Sequence, residues 1–265
     1  MKNLLTLFII CIAINAQADS WVQKASFPGL GREWPFSFSI GNKGYIGCGE
    51  DSVATFHNDF WEFDPIINVW TQKANFGGVE RIDASGFSIG NKGYAGLGLD
   101  TLSSTLQDFW EYDPANNLWT QKTNFGGGHR HVAVGFSIGN MGYIGTGNTG
   151  GSSSNNDLWQ YDPTNDTWTQ KTNLTGNQRA RASCFVIANN AYIVCGYNYN
   201  SFTILSDLWE YNSLTDSWTQ KANFPSSPRA DAAAFSICDK GYFGMGELQN
   251  ILVDQDQFKP SDDEM

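Results

Sequence analysis

The chain has 265 residues and a formal net charge of −11; charged residues make up only 16% of it, while Gly, Trp, Tyr and Phe are abundant. So acidic a surface repels phosphate backbones, and no basic run offsets it, which excludes nucleic acid as a partner. The composition predicts short strands joined by tight turns, and no body segment repeats apolar residues at helical spacing for three turns, so one large all-β domain is expected.

The N-terminus reads as a secretory signal: Lys2, an apolar run from Leu4 to Ile14, then the small-residue tripeptide Ala16-Gln17-Ala18. The run is too short for an ordinary membrane-spanning helix. Cys11 lies inside it rather than at its end, which argues against a lipid-attachment site. Cleavage after Ala18 predicts an exported protein (periplasmic, secreted or cell-surface) without a membrane span, and losing Lys2 takes the charge to −12. The expected organisation is a signal at 1–18, a folded body at 19–250 and an acidic, disordered tail at 251–265. Of the four remaining cysteines, Cys184 and Cys195 flank Asn189-Asn190 symmetrically, which predicts facing positions on a hairpin. They are either two small buried residues or a cross-strand disulfide.

Internal repetition dominates the body. Trp-x-Gln-Lys starts at Trp21, Trp70, Trp119, Trp168 and Trp218, a period of about 49 residues. Phe-Ser-Ile-Gly-Asn-Lys-Gly-Tyr starts at Phe38, Phe87 and, with Met141 in place of Lys, at Phe136; looser copies start at Phe185 and Phe235. A third block, Asp-(Phe/Leu)-Trp-(Glu/Gln)-(Phe/Tyr), starts at Asp59, Asp108, Asp157 and Asp207. Each unit resolves into four strands, a to d. Strand a ends in Phe-Ser-Ile, a Gly-Asn-Lys-Gly turn leads to b, strand c is the Asp-Phe-Trp block ending at Asp-Pro, and d is the Trp-x-Gln-Lys block. Four-stranded units repeated around an axis make a propeller, in which each blade covers its neighbours. Lys73, Lys122, Lys171 and Lys221 guard the outermost strand against edge pairing.

The aromatic residue before a degenerate glycine pair (Gly47-Cys48-Gly49, Gly96-Leu97-Gly98), then Asp-Leu-Trp-x-Tyr-Asp-Pro and a second Trp nine positions later, resembles the kelch repeat over residues 21 to about 246. The resemblance implies a β-propeller of about five blades that acts as an interaction scaffold. The fifth unit has only strands a and b, so the N-terminal Trp21–Lys24 strand is expected to close it, with Asp256-Gln257-Phe258-Lys259 as a weak strand c; a closed ring predicts a monomer. Kelch-like propellers also include a copper-dependent galactose oxidase and a periplasmic sialic acid epimerase. No catalytic motif of either carries over to this chain, and neither a cofactor nor a metal is expected.

Strand order puts the long b–c loops (50–58, 99–107, 148–156, 197–206) and the d–a connections on one face, where a binding site is expected. Six residues before each strand-a Phe stands an arginine: Arg32, Arg81, Arg130, Arg179 and Arg229. Symmetry places these around the channel mouth, where they either bind an anionic ligand or pair, blade to blade, with Asp59, Asp108, Asp157 and Asp207. Residues that break the repeat are better site candidates: Trp34, and His129 and His131 flanking Arg130. His57 lies two blades away from those two, and no clustered carboxylate or cysteine completes a metal set. Glu50, Asp51, Glu80, Asp83 and Asp100 scatter carboxylates over the same face. The expected function is a non-catalytic module that binds a protein or a glycan. The alternatives are a carbohydrate-active enzyme resembling the epimerase, or a truncated structural piece of a larger surface protein.

Overall fold

The computed structural model describes residues 22–151 and 153–248, all of them in strands, turns or loops. The signal segment, Trp21, Asp256–Lys259 and the acidic tail lie outside the described residues. Four blades have all four strands. Blade 1 is Phe36–Ile40, Lys43–Gly47, Phe60–Asp64 and Val69–Gln72; blade 2 is Ser85–Ile89, Lys92–Gly96, Phe109–Asp113 and Leu118–Lys122. Blade 3 is Val134–Ile138, Met141–Gly145, Leu158–Asp162 and Thr167–Lys171; blade 4 is Ser183–Ile187, Asn190–Val194, Leu208–Asn212 and Ser217–Lys221. Each is an antiparallel sheet in the order a-b-c-d. The fifth unit has strands Ala233–Ile237 and Lys240–Gly244.

The a–b turns explain their sequence. Ile40 pairs with Lys43, so Gly41 and Asn42 form a two-residue loop. The left-handed position is the glycine, not the asparagine, with φ of 60° at Gly41 and 58° at Gly90 and Gly139. The same register in blade 4 pairs Ile187 with Asn190 and therefore Cys184 with Ile193. Cys195 falls one residue beyond the strand, so the hairpin does not bring the two cysteines face to face. Both are free thiols. Burial pushes Cys184 up to about 12 and Cys195 up to about 11, which keeps both protonated and unreactive.

Blades interlock through one recurring contact. The strand-a phenylalanine lies over a strand-b glycine of the next blade: Phe38 over Gly93, Phe87 over Gly142, Phe185 over Gly241. A Cβ at Gly93 would meet the Phe38 ring at 2.2 Å, so a larger residue there would displace the ring; blade 4, with Ala191 at this position, departs from the pattern. Behind it, Phe60 and Phe109 are fully buried and meet Trp119 and Trp168 edge-on, each pair 5.0 Å between centroids. Every such ring contributes about 1.5–3 kcal/mol by burial. An outer latch completes the joint. The Ala74 amide donates to Asn117 at 2.9 Å while the Trp119 indole donates back to the Ala74 carbonyl at 3.3 Å.

The N-terminal segment occupies the position of such a joint at blade 1. The Ala25 amide donates to Asn68, the Trp70 indole donates to Ala25, and Phe27 packs on Trp61 and Trp70. Residues 22–31 form no ladder strand, however, so the closing strand expected at Trp21–Lys24 is not found among the described pairings. At the other end Phe235 is 53% exposed, and no atom of the described residues fills the matching slot over Gly44.

Candidate functional site

The periodic arginines are buried inside the blades instead of lining the channel. In blade 2 the Arg81 guanidinium grips Asp108 with two bonds of 2.6 and 2.7 Å and donates to the Leu97 carbonyl at 2.8 Å. Its face lies 4.7 Å from the centre of the Phe76 ring. The second Asp108 oxygen also accepts the Trp110 indole N–H at 2.8 Å. Arg32–Asp59–Trp61, Arg130–Asp157–Trp159 and Arg179–Asp207–Trp209 repeat the arrangement. The pairs form within a blade, not between blades. Burial works to raise Asp59, Asp108 and Asp207, yet their arginine and indole donors hold all three below the ordinary carboxylate range. With side chains only 0–3% exposed, Arg32, Arg81, Arg130 and Arg179 cannot reach a ligand. They fix each d–a connection to strand c.

Two residues further along, the chain does the opposite. Trp34, Asp83, Val132, Arg181 and Asp231 all adopt left-handed backbone, φ between 46° and 58°. Their main chains are joined from blade to blade: Asp83 donates to Trp34, Val132 to Asp83, Arg181 to Val132 and Asp231 to Arg181, at 3.0–3.1 Å. This girdle links the connections into the four complete blades and the fifth unit in turn, on the long-loop face. Its backbone is repetitive and its side chains are all but one of different kinds, in a molecule where nearly everything else repeats.

The polar groups of the girdle converge with their neighbours. Arg181 pairs with Asp231 and lies 3.2 Å from Glu247. Asp83 lies 3.4 Å from His131. Tyr199, T-stacked on Tyr197, feels the charges of Arg181, Asp231 and Asp83 together. Crowding by protein atoms pushes Asp231 up to about 6 against the pull of Arg181, and Glu247 and Asp83 add to the push. Glu50 is raised as well, by burial first and then by Glu33, Asp51 and Asp83. Trp34 stands at the rim with 44% of its surface exposed.

The sequence had singled out Trp34 and His131, and had counted Asp83 among scattered carboxylates. Arg181, Asp231, Tyr199 and Glu247 were missed; the readable signal was the register two residues after each periodic arginine. His129 is separate, bonded to the Thr105 carbonyl at 2.6 Å, and His57 bonds to Asp51 at 3.0 Å. Among the described residues no group of three or more His, Cys, Asp or Glu side chains is placed to hold a metal. A shallow cleft of about 670 Å³, lined by Gly77, Gly78, Glu80, Asp108 and Trp110, lies over strand c of blade 2. Its Asp108 is already committed to Arg81.

No family model and no curated protein matches the chain. The solved structure of a protein called YjhT resembles it, with a TM-score of 0.69 at 19% identity over 84% of this chain and 74% of that one. The likeness carries the fold. The protein is a β-propeller of four-stranded antiparallel blades.

Proposed function

We propose that this is an exported, kelch-type propeller that binds a hydroxyl-rich ligand of glycan type, without catalysis, at the axial mouth of its long-loop face. The girdle supports this reading most directly: five equivalent backbone positions carry Trp, Asp, Val, Arg and Asp. An exposed indole offers a platform for the apolar face of a sugar ring. Arg181, flanked by Asp231 and Glu247, offers fixed donors and acceptors for its hydroxyls. The ion pair that engages Asp231 argues for a positioning role over proton transfer. A thermal unfolding scan of residues 19–265 against neutral glycans and acidic sugars tests the proposal. Binding should raise the midpoint of the wild type and leave that of Arg181→Ala unmoved; a panel that shifts neither protein would sink it.

A protein partner is the second reading, favoured by one observation. Equivalent tips of the b–c loops hold up Val53, Leu102 and Phe202, exposed by 75%, 82% and 64%. A rim of apolar tips around a polar mouth suits a protein surface better than a free sugar.

A further inference from the structure

The girdle and the short ladder beside it hold more negative charge than their cations cancel. Arg181 is the one cation at the five girdle positions, and two carboxylates share it, Asp231 and, at 3.2 Å, Glu247. Asp83 faces His131 at 3.4 Å, a ring that is charged only when protonated. Glu33 and Glu50 stand directly opposite each other on the two-residue ladder that leads into Trp34. Like charges so placed oppose folding. Burial raises Asp231 and Glu50, and the charge of Asp83 adds to the rise in both. Carboxylates from blade 1, blade 2 and the fifth unit therefore act on one another. Asp51 does not belong with them, because the Val53 and Thr55 amides and His57 take up its oxygens. Nor does the rest of the chain bring a surplus of cations: residues 1–21 hold Lys2 and Asp19, and residues 249–265 hold five carboxylates and Lys259.

We infer that the ligand of the girdle is a glycan bearing protonated amines, of the hexosamine class with free amino groups. The inference rests on the glycan reading above and narrows it. An ammonium group offers three donors and a charge, which partly exposed carboxylates such as Asp83, Asp231 and Glu247 accept best. The exposed Trp34 indole serves the same ligand twice, as a platform for the sugar ring and as a face that attracts a cation. A sugar carboxylate would find one guanidinium, already engaged by Asp231 and Glu247, and would be repelled by every other charge of the cluster. A neutral sugar keeps the hydroxyl contacts and gains nothing from the charge. Selectivity thus comes from the difference between these ligands, attraction for one and repulsion for another.

Isothermal titration of the full chain with a glucosamine oligomer, its N-acetylated counterpart and a glucuronic acid oligomer, all at one slightly acidic pH, tests this on the wild type alone. The amine oligomer should bind on the order of tenfold more tightly than the acetylated one. High salt should shrink that margin, and the acidic oligomer should bind most weakly. Asp83→Asn keeps the side-chain shape and tolerates left-handed backbone. It should weaken the amine oligomer several-fold and leave the acetylated one unchanged. Glu80→Gln removes a carboxylate of the same face outside the cluster and should change neither. Equal affinity for the amine and acetylated oligomers would overturn the inference and leave the glycan reading standing. A margin that survives Asp83→Asn, or that Glu80→Gln lowers as much, would overturn it too. A lysine-rich peptide that binds more tightly than the amine oligomer would do the same, since the charge would then recruit a protein. Should none of the three oligomers bind, the glycan reading fails together with the inference.

Discussion

Two sets of residues, two positions apart in every d–a connection, divide the labour of this propeller. Arg32, Arg81, Arg130 and Arg179 are identical, buried and paired with identical aspartates. Trp34, Asp83, Val132, Arg181 and Asp231 share only a backbone conformation and carry a varied set of side chains. In a repeat protein a strictly repeated polar residue serves the repeat, because every blade has the same joint to build. A position that keeps its backbone while its side chain varies is free to serve a ligand. Arginine is present in both sets, and its neighbours decide which role it has.

The largest effect that could break this contrast is on stability. Arg81→Ala removes a buried guanidinium and leaves the part-buried Asp108 carboxylate beside Trp110 without its cation, and should cost about 3 kcal/mol, read from the midpoint of chemical denaturation. An Arg81→Ala protein as stable as the wild type would refute the structural role of the arginines.

A second, smaller effect is on pH dependence, where the two sets act in opposite senses. Asp59, Asp108 and Asp207 have depressed values in the folded state, so their contribution is present above about pH 4 and lost as pH falls further. Asp231 is raised to about 6, so the folded form prefers its proton, and stability falls as pH rises from about 4 to 6. Because 29% of the Asp231 side chain still meets water, that second loss should stay near 1 kcal/mol. Asp231→Asn should remove the fall between pH 4 and 6 and leave the acid limb in place; denaturation midpoints across pH 3–8 measure both.

The smallest stability effect belongs to the girdle itself. Arg181→Ala removes a partly exposed pair and should change the denaturation free energy by about 1 kcal/mol or less. The contrast with Arg81→Ala is the sharpest form of the comparison.

These two positions also mark how far the sequence could be read. The four complete blades, the strand order within each and the long-loop face follow from the repeated Trp, Phe and Asp blocks, because a period near 49 residues repeats one unit of packing. Of the expected five-bladed closure, the described residues show only a two-stranded fifth unit. Arg81 and its counterparts were equally visible, and so was the possibility that each pairs with an aspartate. Their direction was not, since the sequence alone does not say whether the side chain turns inward to the strand-c aspartate or outward to solvent. No residue type announces the girdle backbone either: Trp34 at φ 53° and Val132 at 46° sit where bulky and β-branched residues are rarely found. The facing placement expected for Cys184 and Cys195 failed for a similar reason, which leaves the reading of two unbonded residues. Placing the turn one residue late, at Asn189-Asn190 instead of Ala188-Asn189, shifts every cross-strand partner.

Intrinsic tryptophan fluorescence gives the most direct test of the girdle as the binding site. Wild type and Trp34→Phe are titrated with a glycan that stabilises the wild type, and their unfolding midpoints are compared in the same buffer. The account predicts a ligand-dependent emission change that Trp34→Phe abolishes while its own midpoint stays within about 2 °C of wild type. An emission change that survives Trp34→Phe, and disappears instead when Phe202 at the b–c loop tip is changed to Ala, would contradict it.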